Sequence, residues 1–220
     1  MREFKVLRLH ITEYNSALDL QLRLVDKRIN NQIPDTLILL EHPPTLTVGR
    51  RGNQQNLLVS EEYLAQKGIH FKEISRGGDI TFHGPGQLVG YPIMDLQHLN
   101  KDVHQYLRLI EEFLILLLKD CGITAKQYKG VTGVWTHGKK VASIGIGVKR
   151  WVTYHGFALN INNDLSYFDM IIPCGLNNVE MTSLQKELNS NDIDIDSIYA
   201  RLIDNFSKTF SREYSGYLQI

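Results

Sequence analysis

Residues 132–160 read TGVWTHGKKVASIGIGVKRWVTYHGFALN. Three runs rich in β-branched and aromatic residues (132–136, 139–147 and 151–160) are separated by His137-Gly138 and Lys149-Arg150, which have the composition of turns. Working outward, residues 36–40 and 45–48 predict strands on either side of a His42-Pro43-Pro44 break, and 70–74 and 88–93 predict strands flanking a glycine-rich loop. Leu18, Leu22, Val25 and Ile29 recur at helical spacing within residues 12–31, which end before Pro34. Ser60 caps a short helix with Glu61 and Glu62 in its first turn and Gly68 beyond its end. A stronger helix spans 103–121, with Asp102 and Gln105 placed as a capping-box pair and Gly122 placed to terminate it. Ile195, Ile198, Leu202, Ile203, Phe206 and Phe210 mark a last amphipathic helix. A strand-rich middle with helices at both ends predicts an α/β protein, a mixed sheet with flanking helices. Without repeats or long linkers, residues 1–220 are expected to form a single domain.

Composition removes several classes of function. The 220 residues carry 24 basic and 24 acidic side chains, so there is no basic excess to displace counterions, and no nucleic acid partner is expected. An apolar fraction of 43% and a charged fraction of 22% suit a globular chain, and this length can bury roughly 70% of its extended surface. The greasiest run covers only residues 113–118, so no membrane association is expected. The N-terminal residues include Glu3 and Glu13 and lack the pattern of a signal peptide, which predicts a cytoplasmic location. Two cysteines make neither a disulfide framework nor a four-cysteine metal site, so each needs its own account.

Glycines cluster at 76–90 and 130–156, where backbone must bend or approach something closely. Residues 76–87, RGGDITFHGPGQ, are not a phosphate loop: no Gly-Lys-Ser/Thr opens a helix, and Gly84-Pro85-Gly86 lacks the third glycine of a dinucleotide fingerprint. What remains is a loop of free amides with one guanidinium and one imidazole, suited to a carbonyl or an extended chain. Cys121, beside Leu117 and Leu118, reads as core packing. Cys174 lies in Ile171-Ile172-Pro173-Cys174-Gly175, where an apolar pair and a proline deliver a side chain to the end of an element. That placement suits a thiol nucleophile, with the Cys174 and Gly175 amides as candidate oxyanion donors. Such a thiol needs a base or a cation, and His83, His155, Lys139 and Lys140 are candidates. Lys139 shares strand parity with Val141 and Ser143, and Lys140 with Ala142 and Ile144, so periodicity leaves both open. His83, His155 and Cys174 lack short metal-ligand spacing, and no metal site is expected.

Residues 76–96 (RGGDITFHGPGQLVGYPIMDL), 133–145 (GVWTHGKKVASIG), 153–160 (TYHGFALN) and 171–175 (IIPCG), in this order and spacing, resemble the lipoyl(octanoyl) transferase family. The resemblance covers about residues 36–185 and implies a biotin- and lipoate-ligase type of catalytic domain. It implies an octanoyl-acyl-carrier-protein:protein octanoyltransferase with Cys174 as the acyl-thioester nucleophile and Lys140 as the lysine that activates it. The family's substrate-contacting stretches fall on Arg76, Gly77, Gly78, Asp79, Ile80, Thr81, Phe82 and His83, on Ser143, Ile144 and Gly145, and on Gly156, Phe157 and Ala158. Those glycines and Ala158 are expected to leave a slot for an eight-carbon chain. The implied partners are octanoyl-acyl carrier protein and the apo lipoyl domains of 2-oxoacid dehydrogenase complexes and glycine cleavage H protein. No cofactor is implied, because a thioester arrives already activated, whereas the rival lipoate or biotin ligase consumes ATP. A noncatalytic carrier-binding module is the other alternative. Carriers of this kind are acidic, so Arg50-Arg51 and Lys149-Arg150 are candidate docking clusters.

Overall fold

In the computed structural model, which describes residues 2–50, 52–99, 101–176 and 178–219, the quoted stretch forms the middle of the main sheet. In chain order the elements are β1 (Arg2–Ile11), α1 (Tyr14–Ile29), β2 (Asp35–Glu41), β3 (Thr45–Val48), α2 (Glu61–Gln66), β4 (His70–Glu73), β5 (Thr81–His83) and β6 (Gln87–Ile93). They continue as α3 (Val103–Asp120), β7 (Lys126–Tyr128), β8 (Val131–Thr136), β9 (Lys139–Lys149), β10 (Val152–Asn160), α4 (Leu184–Leu188), α5 (Ile195–Phe210) and β11 (Arg212–Tyr217). β9 and β10 pair antiparallel from Lys149↔Val152 to Ala142↔Leu159. Their turn is Arg150-Trp151, both left-handed at φ 50 and 68, one residue later than composition suggests. Such a two-residue turn matches the twist of the strands it joins.

The main sheet has the order β11-β1-β2-β6-β10-β9-β8-β7, and a smaller one has the order β4-β3-β5. The expectation of helices at both ends is corrected here. The outermost elements are strands, β1 and β11, paired parallel with each other, and β1 also pairs parallel with β2. β1 buries Phe4, Val6 and Leu7, while β11 is mostly exposed beyond Arg212. Asp35 of β2 secures this end. It accepts from Arg28 of α1 at 2.8 Å and from Arg212 of β11 at 2.9 Å, all three side chains being buried.

α3 and α5 cover one face of the main sheet, where Phe113, Leu117 and Phe206 pack on Phe157 and Leu159. Each fully buried side chain of this size contributes about 1.5–3 kcal/mol. Asp102 caps α3 through the His104 and Gln105 amides, so the side chain of Asp102 does the capping and Gly122 (φ 83) follows the helix end. On the opposite face, Leu20, Leu24 and Val25 of α1 pack against Ile38, Leu40, Val89 and Ala158. The small sheet builds a third cluster with Leu46, Ile80, Phe82, Phe168 and Ile171. Tyr14 of α1 stacks on His83 of β5 at 6.0 Å, so α1 and the small sheet meet over the same face. Among the described residues no helix is long and apolar enough to cross a membrane.

Candidate active site

A β-bulge decides which lysine enters the site. β8 pairs Val134 with Ala142 but Trp135 with Lys140, so β9 carries one extra residue at Val141 and simple alternation fails there. Lys139 points outward to Glu180 Oε1 at 2.6 Å. Lys140 points inward, is 1% exposed, and donates from Nζ to Cys174 Sγ at 3.0 Å. Its backbone is clamped by the segment after the cysteine: the Lys140 N–H donates to Glu180 O at 2.8 Å, and the Thr182 N–H donates to Lys140 O at 2.9 Å. Nζ also lies 5.5 Å from the Trp135 ring centroid, where the π face favours a cation. Gly133 (φ 137) makes room for it, since a Cβ there would lie 2.6 Å from Lys140 Cε.

Cys174 adopts the left-handed conformation, φ 59 and ψ 18, inside the short turn Pro173–Gly175. A non-glycine residue there is strained, and such strain gathers at functional positions. The turn lies against Asp79, whose carboxylate orders the segments beside it. Its Oδ1 accepts the Ile80 and Asn53 amides, and its Oδ2 accepts Asn56 Nδ2 at 2.6 Å. A side chain at Gly175 (φ 66) would strike that Oδ2. The expected oxyanion donors are corrected: the Cys174 N–H donates to Ile80 O at 2.9 Å and the Gly175 N–H to Ile172 O at 3.0 Å. Both amides are already committed to backbone carbonyls.

Cys174 opens on a cavity of about 340 Å³, within the usual range for small-molecule sites. Of the residues on which the family's substrate-contacting stretches fall, Arg76, Gly78, Asp79, Thr81, His83, Ser143, Ile144, Gly145, Gly156, Phe157 and Ala158 line it. Gly77, Ile80 and Phe82 do not. The Gly77 amide is tied to Ile146 O at 2.9 Å, whereas Ile80 and Phe82 face the core of the small sheet. Lys140 lies behind Cys174 rather than on the cavity wall. The glycine slot is also corrected. A side chain at Gly145 would meet Gly77 O at 2.8 Å and Arg76 Cδ at 3.0 Å, and one at Gly156 would strike Gly90 O. These two glycines admit neighbouring backbone and Arg76 rather than forming a slot of their own, while their strands, with Ser143 and Ala158, still line the cavity. Tyr14, Tyr91, His155, Val131, Thr132 and Leu176 also line it; a buried tyrosine on a helix or strand, such as Tyr14 or Tyr91, has the sequence signature of core.

The cavity combines one guanidinium with neutral imidazoles. Arg76 donates to Gly77 O at 3.0 Å and to Thr47 O and Oγ1 at 2.8 and 2.9 Å, and burial lowers its pKa. Burial, reinforced by His42 and Arg76, holds His83 well below the usual imidazole value. Gln87 Nε2 donates to Phe82 O and Asn160 Oδ1, so its Oε1 must accept the proton of His83 Nδ1 at 2.9 Å. The Nε2 of His83 therefore carries the lone pair. Burial likewise lowers His42 to about 4 and His155 to about 3, and raises Tyr14 to about 12. Outside the cavity, Cys121 is only partly buried, near Arg201 at 3.9 Å, and burial pushes its thiol up. That environment disfavours a reactive thiolate.

Residues 13–207 match the family described as the lipoyl protein ligase A/B catalytic domain, and the chain belongs to that family. Within it, relatives of high identity carry a single name. The octanoyltransferase of Caldicellulosiruptor saccharolyticus is 48% identical over 208 residues, covering 94% of this chain and 88% of that one. The octanoyltransferase of Koribacter versatilis is 46% identical, covering 95% and 85%. The fold extends further. A lipoate-protein ligase A structure bound with ATP aligns with a TM-score of 0.77 at 18% identity, covering 99% of this chain and 90% of that chain. Biotin protein ligase from Aquifex aeolicus aligns at 0.53 and 14% identity, covering 96% and 70%.

Proposed function

We propose that this chain transfers an octanoyl group from acyl carrier protein to a lysine of apo lipoyl domains, through a thioester on Cys174. The observation that carries the mechanism is the 3.0 Å contact between Lys140 Nζ and Cys174 Sγ at the wall of the cavity. In the first half-reaction the Sγ proton moves to Nζ and the sulfur attacks the thioester carbonyl. The bond from carbonyl carbon to carrier sulfur breaks as the bond to Sγ forms, and Nζ returns the proton to the departing thiol. In the second, the lysine amine attacks the acyl-cysteine, Nζ takes its proton, and Sγ leaves and is reprotonated.

The acyl chain lies along the wall formed by Ser143 and Ala158, a cross-strand pair. Burying its seven carbons beyond the carbonyl contributes about 5 kcal/mol at roughly 0.8 per carbon. The lipoyl domains of 2-oxoacid dehydrogenase complexes and glycine cleavage H protein are the acceptors in this reading. A free catalytic thiol favours the reducing cytoplasm as its place of work. Intact-mass spectrometry after incubation with octanoyl-acyl carrier protein tests the reading. One octanoyl adduct should form, be lost in Cys174→Ala, and pass to an apo lipoyl domain. An adduct that survives Cys174→Ala, or transfer that needs ATP, would overturn it.

A further inference from the structure

The cavity wall also carries a polar side chain that the proton transfers above do not use. His155 sits within β10 at φ 56, a left-handed conformation costing about 1 kcal/mol or more for a residue with a Cβ. Regular strand geometry would send residues 154 and 155 to opposite faces. Instead the two rings lie side by side, centroids 4.8 Å apart, and His155 stands edge-on to Tyr91 at 6.4 Å. The His155 backbone N–H donates to Gln21 Oε1 of α1 at 2.7 Å. Its ring is 1% exposed, lines the cavity, and has a hydrogen-bond partner at neither Nδ1 nor Nε2. Gln21 Nε2 is buried and unpartnered as well. A strained backbone that delivers an unpaired imidazole to a cavity points to something the imidazole binds.

Strand register locates this group relative to the thiol. Lys140 Nζ, 3.0 Å from Sγ, lies 3.2 Å from the position of a Cβ on Gly133, and the next residue of β8, Val134, pairs with Ala142. The sulfur therefore sits near the level of Ala142 and Ser143, while His155 pairs with Ile146. Three strand residues correspond to about 10 Å. An extended octanoyl chain spans about 9 Å from C1 to C8, being seven bonds of roughly 1.5 Å in a zigzag. A chain laid along β9 and β10 from Cys174 thus brings its eighth carbon to the level of His155.

Resting on the acyl-transfer reading above, we propose that His155 is a specificity-determining residue that binds a hydroxyl at the tail of the acyl chain. The enzyme then transfers terminally hydroxylated medium-chain acyl groups from their thioesters as well as the unsubstituted chain. A neutral imidazole offers one N–H donor and one lone pair, the complement of a hydroxyl in both directions. The transfer step is unchanged: C1 leaves the carrier sulfur for Sγ and then Sγ for the lysine nitrogen, and the tail hydroxyl takes no part.

The test compares octanoyl and 8-hydroxyoctanoyl thioesters of acyl carrier protein with wild type, His155→Phe and His155→Gln. Wild type should use the hydroxylated chain within about tenfold of octanoyl. The ratio of the two kcat/KM values should fall about tenfold or more in His155→Phe and recover in His155→Gln, as loss and return of one hydrogen bond require. A ratio that is the same in wild type and His155→Phe overturns the inference. Failure of wild type to transfer even octanoyl would instead refute the acyl-transfer reading. Should the Phe variant not fold, titrating wild type with octanoate and 8-hydroxyoctanoate decides the matter. Ring-nitrogen NMR shifts of His155 that respond only to the hydroxylated acid support the inference, and equal responses overturn it.

Discussion

Replacing Gly133 by alanine should separate the chemistry from the fold. The residue lies at φ 137, a region that side chains rarely adopt, so the substitution strains the backbone by about 1–3 kcal/mol. At this chain length that strain lowers Tm by roughly 2–4 °C per kcal/mol, which leaves the protein folded at 25 °C. The local effect is larger. The new Cβ would lie 2.6 Å from Lys140 Cε and 3.2 Å from Nζ, whereas ordinary contact begins at 3.4 Å, so Cε must retreat by about 0.8 Å. Ala142 O, 2.8 Å away on the other side, is backbone and yields less readily. A displacement approaching 1 Å in a reacting group costs about 100-fold in rate. Quench-flow mass spectrometry of Cys174 acylation measures that rate directly. The control is Gly138→Ala, in the turn before Lys139: it too has positive φ, 83, yet an added Cβ there meets nothing within 4 Å. It should lose a comparable amount of stability and keep its acylation rate. If Gly133→Ala acylates within threefold of wild type, the Lys140 position does not control the thiol and the dyad argument fails.

Asp35→Asn removes the buried carboxylate of Arg212 and leaves Arg28 only its longer 3.5 Å pair with Asp95, a loss of about 3–5 kcal/mol that calorimetry should register as a fall of roughly 10 °C in Tm. Acid should destabilise the protein through its buried histidines. Burial holds His42 near 4, His155 near 3 and His83 well below 6.5, so their contribution is fully present above pH 6.5 and is lost as pH falls towards the folded values. Each histidine supplies up to about 1.4 kcal/mol per pH unit in that window. Urea melts from pH 7 to 4.5 should show a slope that shrinks by about one proton in His42→Gln, and an unchanged slope would remove His42 from the account. Arg50 is exposed and its backbone N–H donates to Arg76 O, beside the cavity, whereas Lys149 is paired with Asp26 at 2.7 Å. Arg51 lies outside the described residues. Arg50→Glu with Arg51→Glu should lower the on-rate for the acidic carrier and flatten its salt dependence, as stopped-flow at 50 and 300 mM salt would show on the order of tenfold.

The elements that could be read in advance are those whose pattern is local. α3 shows because its apolar face repeats for five turns, and β9 and β10 show because their turns carry left-handed residues at fixed positions. β11, Arg212–Tyr217, has no such pattern: its polar sequence becomes a strand through pairing with β1 and through the Arg212–Asp35 contact. β5 reads as loop from sequence because its alternation covers three residues only, yet that alternation sorts Thr81 and His83 into the cavity and Phe82 into the core. For the site, residue types near Cys174 suggested a nucleophile. Whether an amide is free, however, depends on carbonyls such as that of Ile80, which sequence spacing does not place. The choice of Lys140 over Lys139 came from family resemblance, and the bulge at Val141 is the reason strand parity could not make it.

The two left-handed non-glycine residues on the cavity wall, Cys174 and His155, are strained for different ends that one register connects. At Cys174 the strain is held by the Ile80 carbonyl, next to Asp79, in the stretch that also supplies Arg76 and His83. At His155 it is held by Gln21, from the helix that closes the opposite side. The thiol is thus positioned by the small sheet and the far imidazole by α1, while β9 and β10 keep the distance between them. A substitution that shifts α1, such as Gln21→Ala, should therefore alter which acyl tails are accepted before it alters how fast Cys174 is acylated by a short chain. Butanoyl thioesters, which end well short of His155, provide the comparison. Slower acylation by butanoyl and octanoyl alike in Gln21→Ala would show that the two ends are not separable and that α1 positions the thiol too.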